Sequence, residues 1–175
     1  KDEELTNKVI KNDFFHTGDI GEIDQDGFLK ITDRKKEMFK TSGGKYVAPQ
    51  VVENAMKESF FIEQIMVIGD GEKMPAAFIQ LNFDFVKDWA KRKGFEIGTS
   101  AEEIIKNPRL LDRIQKEIDN HNKQFGNWEK VKKFELTPDI WSIESGHLTP
   151  TMKLKRKVIK EKYTKLYSRI YSHNS

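Results

Sequence analysis

Apolar positions follow three patterns along the chain. The first is alternation. Between Ile20 and Ile31, isoleucines alternate with polar residues on both sides of Asp24-Gln25-Asp26-Gly27. That is the period-two signature of a β-hairpin, with Asp-Gly at its turn. The second is the short continuous run. Ile62–Ile68 and Ala76–Leu81 have strand length and are joined through Gly69-Asp70-Gly71 and Pro75. Residues 131–136 predict a further strand, and residues 37–40 a shorter one that Ser42-Gly43-Gly44 stops. The third is helical spacing. Pro49 suits the first position of a helix, where a missing N–H costs nothing, and Val51, Val52, Ala55 and Met56 form its apolar stripe. Phe85 and Trp89 stand one turn apart in a helix predicted over 84–93, closed by Gly94. Ser100 and Glu103 have capping-box spacing. Asn107 is placed to cap a longer helix running to about residue 125, with Leu111, Ile114, Ile118 and Phe125 on its buried face. Residues 137–151 read as a loop, residues 155–170 as one last helix, and residues 1–13 as the end of a helix. Hairpins interleaved with helices predict a small α+β domain.

Composition narrows the chemistry. The chain has 175 residues, 37% of them hydrophobic and 34% charged, a polar balance that still leaves twelve Phe and three Trp to build a core. Cysteine is absent, which excludes disulfides, thiolate metal sites and a Cys nucleophile. The four His (16, 121, 147 and 173) have no metal-ligand spacing, so no metal site is expected. No apolar run approaches the about 18 residues of a membrane span, and the charged start has no signal-peptide pattern. The expectation is a cytoplasmic protein, and the start without Met suggests a piece of a longer one. Net charge is only +3, yet from Lys153 to Arg169 eight basic residues face one acid, Glu161. Such a run reads as a solvated face or as a surface for anions, including the inner membrane surface. Tyr163 and Tyr167 fit core spacing, so no nucleic-acid partner is expected.

Candidate chemistry concentrates in residues 14–50 and 146–156. Thr17-Gly18-Asp19 presents a carboxylate whose two oxygens can accept from a vicinal diol such as a ribose. Arg34, across the hairpin, offers a permanently charged fork for ribose or phosphate oxygens. Ser42-Gly43-Gly44 permits close backbone approach to a ligand but lacks the spacing of a phosphate loop. Lys153 stands at a loop-to-helix junction beside the hydroxyls of Thr149 and Thr151, a compact cation suited to developing negative charge. Each also has a plain reading: a turn cap, a surface ion pair, a simple turn and a basic loop.

Taken in order, F-H-T-G-D-I-G, then G-F-L-K-I-T-D-R-K-K-E-M-F-K-T-S-G-G-K-Y-V-A-P, then L-T-P-T-M-K-L-K-R resemble the C-terminal part of the adenylate-forming enzymes, and most of all their long-chain fatty acid:CoA ligase branch. The resemblance covers essentially the whole chain. It implies a small C-terminal lid with a short mixed or antiparallel sheet flanked by helices (residues 34–175), preceded by a β-hairpin from the end of a large N-terminal domain (residues 1–33). It implies that fatty acid and ATP give acyl-adenylate, that CoA then displaces AMP, and that Mg2+ serves the complete enzyme. Asp19 and Arg34, with Thr17 beside them, match the nucleotide-binding positions. Lys36 matches the hinge, Lys153 the adenylation lysine, and Gly43, Gly44 and Lys40 the pantetheine tunnel. Met152 stands where the family often has Gly, and His16 where many members have Arg. The ATP loop, adenine pocket and acyl channel belong to the missing N-terminal domain. This chain alone is therefore expected to bind no cofactor and to be inactive. Two other readings compete: the lid of an aryl-, short-chain- or amino-acid-activating relative, and a basic membrane or nucleic-acid module.

Overall fold

The computed structural model describes residues 2–34 and 37–172. The elements follow the α+β expectation. Helix α1 (Glu3–Val9) leads into two short hairpins, β1 (Ile10–Lys11) with β2 (Phe14–Phe15), and β3 (Asp19–Ile23) with β4 (Leu29–Arg34), both antiparallel. In the second, the Asp24 carboxylate accepts from the N–H groups of Asp26 (3.0 Å) and Phe28 (2.8 Å). This Asx-type turn chemistry is what Asp in that position provides. A third small hairpin pairs β5 (Phe39–Lys40) with β6 (Tyr46–Val47), shorter than residues 37–40 predict.

The centre is a three-stranded sheet in the order β7 (Ile62–Ile68), β8 (Ala76–Leu81), β9 (Lys133–Thr137). β7 and β8 are antiparallel, whereas β8 and β9 are parallel. β7 and β8 lack alternation because the sheet is covered on both faces. Ile65, Val67, Ala77 and Ile79 point into one core, with Val52 and Met56 of α2 (Pro49–Met56), Val86 and Ala90 of α3 (Phe83–Arg92), and Leu110, Ile114 and Ile118 of α5 (Pro108–His121). Met66, Ile68, Ala76 and Phe78 point into a second, with Trp141, Ile159, Tyr163 and Ile170. At the β7–β8 turn Gly69 has φ +145°, and a Cβ there would lie 3.0 Å from the Met74 carbonyl oxygen and 3.1 Å from the Phe39 ring.

Helix starts match their caps. Asn82 caps α3 through the Phe85 N–H, and Asn107 caps α5 through the Arg109 and Leu110 N–H groups. The Ser100–Glu103 capping box opens α4 (Ala101–Ile104) with both of its reciprocal bonds in place.

Three expectations are corrected. Leu110, not Leu111, lies on the buried face of α5, and Leu111 is exposed. That helix ends at His121, followed by one 3-10 turn over Asn122–Gln124. There the Asn122 side chain donates to the Val131 carbonyl (2.9 Å) and accepts from its N–H (3.0 Å), so the polypeptide turns toward β9 before residue 125. The single last helix is two, α6 (Arg156–Lys162) and α7 (Thr164–Tyr171). The break falls at Tyr163, whose hydroxyl donates to Asp139 (2.7 Å) and accepts from the Trp141 indole (3.0 Å). The Thr164 hydroxyl takes over the Glu161 carbonyl at 2.8 Å.

Candidate functional site

Lys153 sits at the end of a tight loop built from its own neighbours. Leu148 and Leu154 form an antiparallel bridge. Across it the Thr149 N–H donates to the Lys153 carbonyl (2.8 Å), and the Met152 N–H donates to the Thr149 carbonyl (2.8 Å). The Thr149 hydroxyl accepts from the Lys153 N–H at 3.1 Å. The closed turn puts Met152 at φ +60°, a left-handed position that costs a side-chain-bearing residue about 1–2 kcal/mol. The buried Leu148 anchors this loop, and the Lys153 side chain is exposed.

The cleft beside Lys153 has a volume of about 220 Å3, and its walls include Glu37, Gln50, Glu53, Met152 and Arg156. An ion-pair network forms its floor. Arg156 Nη1 donates to Glu53 Oε1 (2.8 Å) and Nη2 to Oε2 (2.7 Å), a bidentate fork. Its Nε lies 3.5 Å from Glu37, whose carboxylate also accepts from the Gln50 amide at 2.6 Å. Glu53 Oε1 further accepts from the Val67 N–H at 2.7 Å. Burial pushes the Glu53 carboxyl upward against the pull of Arg156. The same carboxylate keeps Arg156 a cation in spite of the guanidinium's own burial. Residue 37 is thereby fastened to the core and to the start of α6, three residues past Lys153.

Behind the Lys153 loop lies a second polar cluster. His147 is buried, its ring grouped with those of Trp141 and Tyr163, whose centroids lie 6.2 and 6.3 Å from it and 6.1 Å from each other. Nδ1 is 2.6 Å from the Ser145 hydroxyl and Nε2 is 3.2 Å from the Lys162 ammonium. Burial first, then Lys162, holds its pKa down, while Asp139 pulls weakly the other way. Burial works to raise the Asp139 carboxyl, but hydrogen bonds from Tyr163 and Lys162 outweigh it and hold it low.

The other predicted residues lie elsewhere. Asp19 and Arg34 face each other as backbone partners across β3 and β4, and the Thr17 hydroxyl accepts from the Asp19 N–H at 3.2 Å. Gly43 and Gly44 form the exposed turn between β5 and β6, with Gly44 at φ +79°. The Lys40 ammonium lies 5.6 Å from the centre of the Tyr46 ring. None of Lys40, Gly43 and Gly44 lines the cleft of Lys153. Lys36 lies outside the described residues. Among the described residues no three His, Asp or Glu converge as metal ligands, and no helix is long and apolar enough to cross a membrane. The basic run is not an unpartnered stripe. Besides Arg156, Lys157 pairs with Glu161 (4.0 Å), Lys162 with Asp139 (3.2 Å) and Arg169 with Glu135 (2.5 Å).

Residues 37–175 match the family described as AMP-binding enzyme C-terminal domain. The chain belongs to that family. Relatives of this C-terminal domain include the long-chain-fatty-acid–CoA ligase FadD15 of Mycobacterium tuberculosis, 36% identical over 172 residues that cover 98% of this chain and 29% of the relative. Fatty acyl-CoA synthetase B of Dictyostelium discoideum is 37% identical over 175 residues, covering 98% and 26%. The chain thus spans less than a third of the length of these relatives. Among solved structures, the adenylation domain of a carboxylate reductase from Mycobacterium chelonae has the same fold, with TM-score 0.77 at 24% identity over 97% of this chain and 25% of that one. A Mycobacterium tuberculosis fatty acyl CoA synthetase follows at TM-score 0.53 and 23% identity, over 93% and 27%.

The Glu37–Arg156–Glu53 network of this AMP-binding C-terminal domain escaped the sequence reading. One signal was present. Glu53 stands inside the apolar stripe of α2, between Val52 and Ala55, and a carboxylate on a buried face requires a cation.

Proposed function

We propose that this chain is the lid of an ATP-dependent, AMP-forming long-chain fatty acid:CoA ligase. In the first half-reaction a fatty-acid carboxylate oxygen attacks the α-phosphorus of ATP, and pyrophosphate leaves. In the second the CoA thiolate attacks the acyl carbonyl carbon, and AMP leaves. Lys153 supplies the fixed positive charge that two approaching anions need, between the carboxylate and the α-phosphate. Asp19 and Arg34, with Thr17, hold the ribose and nucleotide. Lys36 is the pivot between the poses for the two halves, and Gly43, Gly44 and Lys40 line the path of the pantetheine arm.

One observation carries this reading. The exposed Lys153 stands at a rigid, bridged loop and shares a cleft with Glu37, the residue that follows the proposed pivot. A body turning about residue 36 therefore carries Lys153 with it. The separation of Lys153 from Gly43 and Gly44 also suits a lid that presents different faces to different steps. The boundary near residue 33 has support from the start of the family match at residue 37 and from the exposed Phe14, Phe15, Ile23, Phe28 and Leu29. Those exposed apolar side chains suit contact with a larger neighbouring domain. The relatives' long-chain ligase names favour a fatty acid over aryl or amino acids. Mg2+ is assigned to no residue of this chain. Peripheral membrane association, expected from the basic segment, stays part of this proposal, with Lys153, Lys155, Lys157 and Lys160 exposed for an anionic surface.

The test is Lys153→Ala in the complete enzyme. ATP–pyrophosphate exchange driven by fatty acid should fall by about 10²–10³-fold, the size typical of losing a charge-stabilising group. Thioester formation from preformed acyl-adenylate should be largely spared. Undiminished exchange would overturn the assignment. Robust exchange by the 175-residue chain alone would overturn its role as a lid without activity of its own.

A further inference from the structure

The glycine turn is braced from the C-terminal helix through the β7–β8 turn. The Ser42 N–H donates to the Glu72 carbonyl (2.9 Å), and the Gly71 N–H donates to the Lys40 carbonyl (2.9 Å). Residues 40–42 and 71–72 are therefore laced together, edge to edge. The Glu72 side chain then accepts from the Tyr167 hydroxyl at 2.9 Å. One turn further along α7, the Tyr171 hydroxyl reaches the carbonyls of Ile68 (3.2 Å) and Met74 (3.1 Å), the two shoulders of the same β7–β8 turn. The Tyr167 and Tyr171 rings lie 4.8 Å apart, and the Lys160 ammonium sits 4.6 Å from the centre of the Tyr167 ring. Burial first, then the Glu72 carboxylate, pushes the Tyr167 hydroxyl upward, so it stays a donor at neutral pH.

Two adjacent glycines have no side chains with which to dock a turn against the domain. Bonds inside the turn close it, Thr41 N–H to the Lys45 carbonyl and Gly44 N–H to the Thr41 carbonyl, both 2.9 Å, and its placement comes from the backbone it is laced to. That backbone is fixed by α7. None of these groups belongs to the Glu37–Arg156–Glu53 network that fastens the Lys153 side of the domain. We propose that Tyr167 and Glu72 are positioning residues for the Ser42-Gly43-Gly44 turn, and that they serve thioester formation without serving adenylation. The inference rests on the lid reading above and deepens it: each working face has its own brace.

The experiment compares Tyr167→Phe, Glu72→Ala and Glu72→Gln in the complete enzyme. Tyr167→Phe keeps the ring and removes the donor. It should lower acyl-CoA formation from preformed acyl-adenylate about ten-fold, the scale of a hydrogen bond to a charged acceptor. Fatty-acid-driven ATP–pyrophosphate exchange should stay at its original rate. Glu72→Ala should behave alike, and Glu72→Gln, which keeps an acceptor oxygen, should recover most of the loss. In the isolated chain, amide exchange at Ser42 and Gly71 should quicken about ten-fold in Tyr167→Phe, while the Val67 amide on Glu53 keeps its rate. An equal fall in both half-reactions, or an unchanged thioester rate, would overturn the proposal. The lid reading fails separately: it falls if Lys153→Ala retains exchange, whatever Tyr167→Phe does.

Discussion

Arg156→Met should destabilise the domain by about 3 kcal/mol, because it strands the Glu53 carboxylate in the core. Glu53 is only 5% exposed and would lose both bonds of the guanidinium fork, keeping the Val67 N–H alone. Removing one partner of a buried pair costs about 3–5 kcal/mol. The lower end applies because the Arg156 side chain retains 26% exposure, so water already screens part of the pair, and Met preserves most of the apolar stem. The bond to Glu37 adds little, since that carboxylate is 30% exposed and keeps Gln50. The sign with pH follows from Glu53. Burial already raises its folded-state pKa above the usual 4.5, and loss of the cation raises it further. The deficit is therefore full at neutral pH and shrinks as pH falls and the stranded group takes up a proton. Urea unfolding followed by circular dichroism at pH 7 and pH 5 measures both effects. The double variant Arg156→Met, Glu53→Gln should be more stable than Arg156→Met alone, because Gln removes the stranded charge and still accepts from Val67. A loss under about 1 kcal/mol, or a double variant no better than the single, would refute the buried-charge argument.

Gly69→Ala should cost about 2 kcal/mol in thermal unfolding, through a Cβ forced against the Met74 carbonyl and the Phe39 ring at a backbone angle that alanine avoids; a shift within error would show that the β7–β8 turn relaxes freely. His147 is held neutral, its pKa below the ordinary 6.5, by burial and by Lys162. The unfolded chain binds that proton more readily, so the contribution is intact above about pH 6.5 and declines as pH falls from there toward the folded-state pKa. His147→Gln should flatten this part of the stability–pH curve, and identical slopes for the two proteins between pH 7.5 and 5.5 would count against it.

Where a signal was local, the sequence carried it. Strands β7 and β8 were legible to the residue because their apolar runs end at Gly69-Asp70-Gly71 and Pro75. The capping box at Ser100 and Glu103 and the Asn107 cap were legible for the same reason. The phase of α5 was not. Leu111-Ile114-Ile118 and Leu110-Ile114-Ile118 are both helical spacings, and only packing against α2 and the sheet selects the second. The break at Tyr163 was hidden because Ile159, Leu166 and Ile170 sustain one period across it. Its cause, the Asp139–Tyr163–Trp141 hydrogen bonds, lies more than twenty residues away in sequence. In the candidate site, Lys153 and the glycine turn were legible as motifs. Their braces were not: Arg156 meets Glu53 across 103 residues, and Tyr167 meets Glu72 across 95.

The bonds at Val67 have a consequence beyond the cleft. β7 lies at one margin of the three-stranded sheet, where unpaired peptide groups would invite a strand from another molecule to add on. The Val67 N–H is taken by the Glu53 carboxylate, and its carbonyl lies 3.4 Å from Arg156 Nη1. A charged pair thus occupies the place of a fourth strand, without offering a ladder that a further chain can continue. Substitutions that open this ion pair would expose a templating edge, and so favour self-association before the rest of the domain unfolds.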